Sequence, residues 1–382
     1  MTEASGPLAG VKIIELAGIG PGPFCAMLLA DLGATVLRIE RPGAEQDLLP
    51  EHDVTLRNRC RLRMDFKAAR DRALLLDLIA GADALIEGFR PGVTERLGLG
   101  PEDCLRRNPQ LVYTRITGWG QEGPLAQSAG HDLNYIALAG ALYHLGRAGQ
   151  PPTPPINLLG DYAGGSLFAC FGLLAAVLRA RSDGLGQVVD ASMVDGAAAL
   201  MAKQFGLYAA GRVSAQRGTN MLDTGAYFYD TYICADGQYL AVAPIEAEFH
   251  TLLFDKLGVA VDERPLQHDR SGWADARARL AGVFLTKPRQ HWCALFEGSD
   301  ACVTPVLSIT EARAHPHILE RETVIEIDGV EQPAPAPHFS RTPADRPAAA
   351  VSPGEGVAGA LEAWGCTGSI AQAICELDAA YS

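Results

Sequence analysis

The chain has 382 residues, 48% of them hydrophobic and 20% charged, with a formal net charge of −13. This length exceeds what one hydrophobic core usually organises, so we expect two domains or one domain with a large excursion. The composition is that of a globular protein and disfavours disorder outside the chain ends. The acidic balance disfavours nucleic acid or an anionic membrane surface as the main partner, because both select basic patches.

Short apolar runs alternate with longer helical patterns over the first two hundred residues, as in a parallel α/β sheet. The predicted strands cover residues 11–16, 35–39, 84–86, 111–114 and 188–190. The predicted helices cover residues 24–32, 68–80, 101–107, 162–181 and 192–207. We therefore expect a large Rossmann-like domain with a parallel sheet.

The pattern changes from Tyr227, after an irregular stretch over residues 211–225. Two short strands flank a turn at residues 235–238, and helical patterns follow at residues 247–257, 273–284 and 289–296, which predicts a smaller α+β domain. The proline-rich stretch 330–347 predicts an extended return path, and the alanine-rich tail predicts one or two last helices. The predicted divisions are a large domain over 1–192, a linker over 193–225, the small domain over 226–325 and a C-terminal return to the large domain over 326–382.

Glycines and prolines at residues 18–23 imitate a dinucleotide-binding turn. They follow a predicted strand and precede a helix, and Glu40 ends the next strand at the distance of a ribose-binding acid. The spacing G-x-G-x-x-G is not met, however, and Pro21 and Pro23 remove backbone N–H groups where a pyrophosphate would need them. We interpret the segment as a tight strand-to-helix turn, with Pro23 at or near the first helical position.

Two polar loops between apolar stretches hold a histidine and a carboxylate. His131 lies in the loop 129–135, and Asp161 follows 30 residues later in the segment 157–161. Together they are a competent acid and base for proton transfer at a carbon near neutral pH. Taken singly, the simpler interpretation of His131 is a turn residue, that of Asp161 a helix N-cap, and that of Glu246 an acid that begins a surface helix.

Basic residues crowd the first hundred positions of this acidic chain. Arginine side chains match phosphate oxygens in pairs, so a polyphosphate ligand such as coenzyme A would explain the crowding. The alternative is that each arginine is solvated and paired with a nearby acid. The basic residues are Arg38, Arg41, Arg57, Arg59, Arg61, Arg63, Lys67, Arg90 and Arg96.

Cysteine usage and hydropathy bear on location and ligands. The nine cysteines contain no Cys-x-x-Cys pair, and the amino terminus lacks a basic-then-apolar signal pattern, which predicts a reduced, cytoplasmic protein. The longest apolar run, residues 167–178, is shorter than the roughly 20 residues of a bilayer span, so we expect a buried helix and no membrane span. At residues 315–317 a proline separates two histidines and no third ligand is near, so no metal is expected.

Several short motifs occur in one order along the chain. They are Glu15-Leu16-Ala17-Gly18, Ala30-Asp31-Leu32-Gly33-Ala34, Glu87-Gly88-Phe89-Arg90-Pro91-Gly92, Gly118-Trp119-Gly120-Gln121, Gly130-His131-Asp132, Gly186-Gln187-Val188-Val189-Asp190, Ala235-Asp236-Gly237 and Thr304-Pro305-Val306-Leu307. With these motifs the sequence resembles the class III coenzyme A transferases, and most closely their racemase branch, nearly collinearly over about Leu8 to Pro343. The resemblance implies proton exchange at the carbon alpha to a CoA thioester, without a metal or an organic cofactor. CoA is not counted as a cofactor because it is part of the substrate.

By matching motifs, the resemblance carries catalytic roles to four residues. His131 would take the proton from one enantiomer of a 2-methylacyl-CoA and Asp161 from the other, and each would donate in the reverse direction. Glu246 would hydrogen-bond the imidazole and fix its tautomer. The main-chain amide of Asp132 would meet the thioester oxygen as the enolate forms.

The resemblance also carries coenzyme A binding to the loops of the large domain. Positive side chains would meet the phosphates, and Met64 and Phe89 would offer apolar surface or main-chain contacts to adenine and pantetheine. Arg57 is a weaker candidate. The binding residues would be Arg41, Met64, Asp65, Phe66, Lys67, Gly88, Phe89, Arg90, Arg96, Gly130, His131, Asp132, Leu133, Asn134 and Tyr135.

Members of this family form interlocked homodimers, so the resemblance implies one here. The large domain, formed by both chain ends, would be linked to a small domain that packs on the partner. Glu246 of one chain would then complete the site formed by His131 and Asp161 of the other. The sequence assigns no function to the tail after about Pro347.

Three alternative functions stay open at this point. A coenzyme A transferase of the same fold would use Asp161 as its nucleophile and would need neither His131 nor Glu246. A non-catalytic acyl-CoA-binding protein would keep the arginines without the catalytic pair. A dehydrogenase would require the dinucleotide turn that the prolines disfavour.

Overall fold

The computed structural model describes residues 5–43 and 52–381, and the chain forms two compact units. The first unit comprises Met1–Ala139, Ile156–Leu200 and Glu322–Ser382. The second comprises Gly140–Pro155 and Met201–Arg321. The N-terminal and C-terminal parts of the described chain therefore both belong to the first unit.

A six-stranded parallel sheet forms the centre of the first unit, which confirms the predicted α/β architecture. Its strands are β1 (Lys12–Leu16), β2 (Thr35–Glu40), β3 (Cys60–Arg63), β4 (Ala84–Glu87), β5 (Val112–Thr117) and β6 (Gln187–Ser192). The accompanying helices are α1 (Pro21–Asp31), α2 (Ala69–Ile79), α3 (Val93–Arg96), α4 (Pro101–Arg107), α5 (Asp132–Leu138), α6 (Phe168–Asp183) and α7 (Met193–Leu200). The strand order is β3-β2-β1-β4-β5-β6. The chain adds β2 and β3 on one side of β1 and then β4, β5 and β6 on the other side, so the strand order reverses between β1 and β4.

Successive side chains of the central strands supply two cores, one on each face of the sheet. Ile14 and Leu37 pack in one core with residues of α2 and α4. Ile13 and Val36 pack in the other core with residues of α1 and α6. This alternation is expected of parallel strands that helices cover on both faces.

Two local features of the sheet region differ from the sequence prediction. The pattern Cys-Arg-Leu-Arg did not predict β3 because it looks polar, yet Arg61 is fully buried and pairs with Glu40 on the neighbouring strand. Helix α1 begins at Pro21 rather than at Phe24, so Pro21 and not Pro23 occupies the first helical position. A proline there costs no hydrogen bond, because the first helical N–H has no partner within the helix.

The second unit contains an antiparallel sheet with helices. Its elements are α8 (Ala202–Ala209), β7 (Asp230–Ile233), β8 (Tyr239–Val242), α9 (Ala247–Lys256), α10 (Trp273–Phe284), α11 (Arg289–Phe296), β9 (Val303–Val306), α12 (Ile309–Ala312) and α13 (Pro316–Glu320). The strands β7, β8 and β9 pair in that order. The sequence predicted one helix over residues 192–207 and placed a linker at residues 193–225. The structure has two helices in this stretch, α7 and α8.

The C-terminal part of the chain returns to the first unit. It forms the hairpin β10 (Val324–Ile327) and β11 (Val330–Pro333), followed by α14 (Val357–Trp364) and α15 (Gly368–Ala380). Leu361 and Ile374 from these two helices are buried in the same core as β3 and α2. The sequence predicted one or two last helices, and the structure has two.

A π-helical segment, Leu158–Leu167, runs directly into α6, where the sequence predicted a single α-helix from residue 162. Glycines allow a close backbone approach between this segment and α7. A Cβ on Gly164 would lie 2.9 Å from the backbone nitrogen of Ala197, and a Cβ on Gly196 would lie 1.9 Å from the carbonyl oxygen of Gly164. π-helical turns are rare, and those that occur are often found at functional sites.

Within the described residues, Leu158–Asp183 is the one helix long and apolar enough to cross a membrane by length and composition. Helices that fill protein cores satisfy the same criterion. One face of α6 does so here, because Ala169, Leu173 and Ala176 are buried against the sheet. The other face exposes Phe171 and Leu178.

Candidate active site

The predicted binding residues of the N-terminal loops lie at one edge of the parallel sheet. Arg41 follows the last residue of β2, residues 64–67 follow β3, and residues 88–90 follow β4. Because these strands are parallel and adjacent in the order β3-β2-β1-β4, their carboxyl ends meet at the same edge. Open parallel sheets bind ligands at this edge, beside the point where the strand order reverses.

His131 lies immediately before α5, with an extended backbone and an exposed side chain. Its N–H donates to Oδ1 of Asn134 over 3.0 Å, which fixes the start of the helix. Two glycines of this region make room for aromatic rings, since a Cβ on Gly118 would lie 2.1 Å from the ring of Tyr135 and one on Gly130 would lie 2.9 Å from the ring of Trp119. The histidine therefore stands on a closely packed loop with its ring open to solvent.

Asp132 joins this loop to the π-helical segment. Its side chain is buried, and its Oδ1 accepts from the backbone N–H groups of Gly160 at 2.6 Å and Asp161 at 2.7 Å. A Cβ on Gly160 would lie 2.8 Å from the same oxygen, so glycine is required for this approach. Asp132 thus sets the position of the Asp161 backbone.

Asp161 is half-buried within the π-helical segment, so it is not the helix N-cap that the simpler interpretation expected. Burial raises the pKa of its carboxyl, and the charge of Asp132 raises it further. A hydrogen bond from Asn157 over 3.4 Å and the proximity of His131 oppose this rise. Because His131 contributes to the pKa of Asp161, the structure brings the two predicted bases into electrostatic range.

Tyr135 lies within electrostatic range of Asp161, Asp132 and Arg90. Burial raises the pKa of the Tyr135 hydroxyl to about 12, with further increases from Asp161 and Asp132, while Arg90 lowers it. The hydroxyl donates to the carbonyl oxygen of Gly130. The loop after β4 and the loop before α5 therefore lie close together at the carboxyl edge of the sheet.

Glu87 is a buried residue at this edge to which the sequence prediction gave no role. Its carboxylate accepts from the N–H of Phe89 at 2.6 Å and from Arg115 at 2.8 Å. Burial raises the pKa of Glu87 to about 7, although Arg115 opposes the rise. The residue holds the start of the loop that carries Arg90, and only its position at the end of a buried strand could have indicated this.

Glu246 belongs to the second unit. It immediately precedes α9, its side chain is exposed, and its carbonyl oxygen accepts from the N–H of His250 at 2.9 Å. Burial raises the pKa of the Cys302 thiol, and the charge of Glu246 raises it further, which places the two residues near each other. The predicted hydrogen bond from Glu246 to His131 stays a prediction.

Comparison with known proteins places this geometry in a family. The sequence pattern of the CoA-transferase family III matches residues 8–356. The chain belongs to this family. This membership confirms the family predicted from the ordered motifs.

Relatives of the CoA-transferase family III include enzymes of two kinds. The chain is 44% identical to "Alpha-methylacyl-CoA racemase" from Mus musculus over 339 residues, which cover 88% of this chain and 87% of that protein. It is 31% identical to "Acetyl-CoA:oxalate CoA-transferase" from Acetobacter aceti over 354 residues, which cover 87% of this chain and 90% of that protein. The solved structure of a CAIB/BAIF family protein from Brucella suis covers 94% of this chain and 100% of its own, with a TM-score of 0.82 and 24% identity, and shows the shared fold.

Four of the nine basic residues in this family member are structural. Arg38 pairs with Glu15 and Glu40, and Arg59 pairs with Glu15. Arg61 pairs with Glu40, as described above. Arg57 is 2% exposed, and its guanidinium bonds Asp31, Gln332 and the carbonyl oxygen of Pro333. The prediction that Arg57 binds a phosphate is therefore wrong, because its donors already have protein partners and are shielded from solvent.

The remaining cations are distributed differently. The side chains of Arg41, Lys67, Arg90 and Arg96 are exposed. Arg63 is partly exposed and lies 3.8 Å from Asp378. Met64 is 1% exposed and belongs to the core, so the apolar surface predicted from its side chain is not present.

Replacing Arg57 by leucine is expected to destabilise the protein without a specific loss of coenzyme A binding. The change leaves the buried carboxylate of Asp31 without its ion pair, and breaking such a pair costs about 3–5 kcal/mol. Urea unfolding measures this cost. The control is Arg107→Leu, which removes an exposed pair with Asp77 and should cost less than about 1 kcal/mol. Weaker CoA binding by a fully stable Arg57→Leu protein would contradict the structural role.

The described residues offer no evident metal centre. Within residues 5–43 and 52–381, no three His, Cys, Asp or Glu side chains are grouped so that they could hold a metal ion. His315 and His317 interact locally, since the N–H of His317 donates to Nδ1 of His315 over 3.3 Å.

Proposed function

We propose that this chain interconverts the enantiomers of 2-methylacyl-CoA thioesters by moving a proton at the alpha carbon. One observation carries the proposal: the carboxylate of Asp132, the residue after His131, accepts from the backbone N–H of Asp161 over 2.7 Å, which joins the two segments that carry these titratable side chains. Two titratable groups so placed suit a reaction in which one removes a proton and the other returns one. The 44% identity to an enzyme named alpha-methylacyl-CoA racemase supports the same conclusion.

In the proposed mechanism the two groups act on opposite faces of the carbon. A neutral His131 takes the proton from one enantiomer, and a protonated Asp161 donates a proton to the opposite face of the enolate. The roles exchange for the other enantiomer, so the thioester keeps its composition. Burial raises the pKa of Asp161, which makes its carboxylate a stronger base and eases its protonation near neutral pH.

The enolate oxygen requires a hydrogen-bond donor as its charge develops. The N–H of Asp132 is the first of α5, and the first N–H groups of a helix have no acceptor within it. We assign this N–H to the thioester oxygen. The Asp132 carboxylate, held by the amides of Gly160 and Asp161, keeps the donor in register with one of the two bases.

The coenzyme A moiety of the substrate would lie along the carboxyl edge of the sheet. Arg41, Lys67, Arg90 and Arg96 present exposed cations for its phosphates. The proximity of Arg90 to Tyr135 connects this edge to the catalytic loop. The thioester end would then reach His131 while the nucleotide end stays near the loops after β2 and β3.

The active form would be an interlocked homodimer, in which Glu246 from a second copy of the chain orients the imidazole of His131. Glu246 is exposed at the start of α9 and therefore accessible to another chain. On α6, Phe171 and Leu178 are 74% and 73% exposed, an apolar face that a second copy would cover. Sedimentation of the purified protein should give a dimer, and a monomer with full activity would contradict this arrangement.

The rate in the direction that uses Asp161 as base should fall on acidification at a higher pH than an ordinary aspartate would give. Activity needs the carboxylate, so it is lost as the pH falls through a pKa that burial has raised. The Asp132→Asn variant removes one of the charges that raise this pKa, and its acid limb should move to lower pH. Profiles of kcat/KM against pH for each enantiomer measure both effects. An acid limb that is the same in both proteins would contradict the assignment.

The test of function is inversion without an acceptor acid. The wild-type protein, supplied with (S)-2-methyloctanoyl-CoA alone, should form the (R)-thioester, which chiral chromatography of the hydrolysed acids detects. Addition of free acetate should produce no acetyl-CoA. Transfer of CoA to acetate without inversion would instead support a coenzyme A transferase, in which Asp161 is the nucleophile.

A further inference from the structure

The two C-terminal helices lie outside the part of the chain that matches the family pattern, which ends at residue 356. Helices α14 and α15 nevertheless pack tightly on the first unit. Leu361, Trp364 and Ile374 are buried in the core that contains β3 and α2. This C-terminal tail, residues 357–381, is therefore an integral part of the fold beside β3.

The tail makes polar contacts with the strand end that leads to the coenzyme A loop. Asp378 is 4% exposed, and its Oδ1 accepts from the backbone N–H of Arg63, the last residue of β3, over 2.7 Å. Residues 64–67, the loop that the proposed function assigns to coenzyme A, begin at the next position. The tail thus holds the residue from which this loop departs.

A second contact reaches the loop through one carboxylate. Tyr381 donates its hydroxyl hydrogen to Oδ2 of Asp71 over 2.9 Å. The same oxygen accepts from the backbone N–H of Asp65 over 2.8 Å, and Asp71 is 2% exposed. Tyr381 therefore holds the carboxylate of Asp71, which in turn holds Asp65, the second residue of the loop.

The loop itself is a tight turn that displays Lys67. Oδ1 of Asp65 accepts from the N–H of Lys67 over 3.0 Å, and Arg72 donates to the carbonyl oxygen of Lys67 over 3.1 Å. The Lys67 side chain is exposed. Because the backbone N–H of Asp65 donates a hydrogen bond to the carboxylate of Asp71, a displacement of Asp71 would shift the whole turn.

We propose that Asp378 and Tyr381 are positioning residues for coenzyme A, which act through Arg63 and Asp71 to preorganise the loop 64–67. The inference rests on the proposed assignment of this loop to the substrate. A loop held before binding does not have to be ordered by the ligand, so its contacts contribute more to affinity. The tail then strengthens binding of the nucleotide end and leaves the proton transfer at the thioester unchanged.

The test compares binding of free coenzyme A by isothermal titration calorimetry in three variants. Tyr381→Phe removes only the hydroxyl and should weaken binding about 3- to 10-fold, the effect of one lost hydrogen bond. Asp378→Ala should weaken it similarly, whereas Asp378→Asn, which keeps an acceptor oxygen for the Arg63 N–H, should restore most of the affinity. In turnover, KM should rise and kcat should stay unchanged.

Trp364→Phe is the matched control within the tail. Trp364 is buried and donates from Nε1 to the carbonyl oxygen of Leu78, away from the loop. The variant should lower Tm at least as much as Tyr381→Phe and leave the affinity for coenzyme A unchanged. An equal loss of affinity in Trp364→Phe, or wild-type affinity in Tyr381→Phe, would overturn the proposal, since the tail would then act through stability alone or not at all.

A second substrate separates this inference from the proposed function. A 2-methylacyl pantetheine thioester lacks the adenosine and the nucleotide phosphates, so Tyr381→Phe should leave its KM unchanged. An equal rise in KM for both thioesters would overturn the role of the loop in binding the nucleotide end. Free coenzyme A reports on the tail without any turnover, so a wild-type protein that binds it without racemising an acyl-CoA would refute the proposed reaction and not the positioning role.

Discussion

Replacing His131 by alanine is expected to lower the rate of racemisation by about 10²–10⁴-fold, the usual contribution of a general acid–base group. The imidazole is the only base proposed for one face of the alpha carbon, and its ring is exposed at the start of α5. Asp161 remains in this variant and can still remove and return a proton on its own face. The variant should therefore exchange the alpha hydrogen of one enantiomer with solvent much faster than it inverts either enantiomer.

Chiral chromatography follows inversion in the His131→Ala variant, and mass spectrometry in heavy water follows exchange. His338→Ala is the control, since His338 is an exposed histidine of the C-terminal return. The His338→Ala protein should racemise the substrate at the wild-type rate. Imidazole added to the solution should restore part of the inversion in His131→Ala, because it supplies the missing base. Full inversion by the unsupplemented variant would refute the role of His131.

Replacing Asp161 by asparagine is the second large effect, with an expected loss of racemisation of about 10²–10⁴-fold. Asparagine keeps the size of the side chain and removes the group that gains and loses the proton. The backbone N–H of Asp161 can still donate to Asp132, so the π-helical segment should be preserved. The variant should exchange only the enantiomer that the His131→Ala variant does not exchange.

The complementary pattern is the informative result for Asp161→Asn. A matched control is Asp183→Asn, which neutralises an aspartate at the end of α6 that forms a surface pair with Arg179. That control should keep the wild-type rate for both enantiomers. Exchange of the same enantiomer by His131→Ala and Asp161→Asn would contradict a mechanism in which the two residues serve opposite faces.

Most of the sheet could be predicted from the sequence because β1, β2, β4, β5 and β6 each contain adjacent apolar residues. Strand β3 could not, since two of its four residues are arginines and their burial depends on acids from other strands. Buried acids account for four of the nine basic residues near the amino terminus. Arg57, Arg59 and Arg61 stabilise the fold through Asp31, Glu15 and Glu40, contacts that no local pattern reveals.

The candidate site was predicted from the sequence to a different extent for each residue. The ordered motifs identified His131 and Asp161, and the structure brings them into electrostatic range. The side-chain role of Asp132 could not be predicted, because its bonds to Gly160 and Asp161 bridge segments 28 and 29 residues apart. The π-helical segment was also missed, since its glycines are required by packing against α7 and not by helical propensity.

Incorporation of deuterium during inversion tests the central claim most directly. Proton NMR in heavy water follows each pure enantiomer of a 2-methylacyl-CoA with the wild-type protein and no free acid. We expect each enantiomer to lose its alpha-proton signal as it converts towards a near-equal mixture of the two, because the proton that returns comes from the opposite, solvent-exchanged base. Retention of both configuration and alpha proton, with CoA passing to a free acid once one is added, would contradict a two-base racemase.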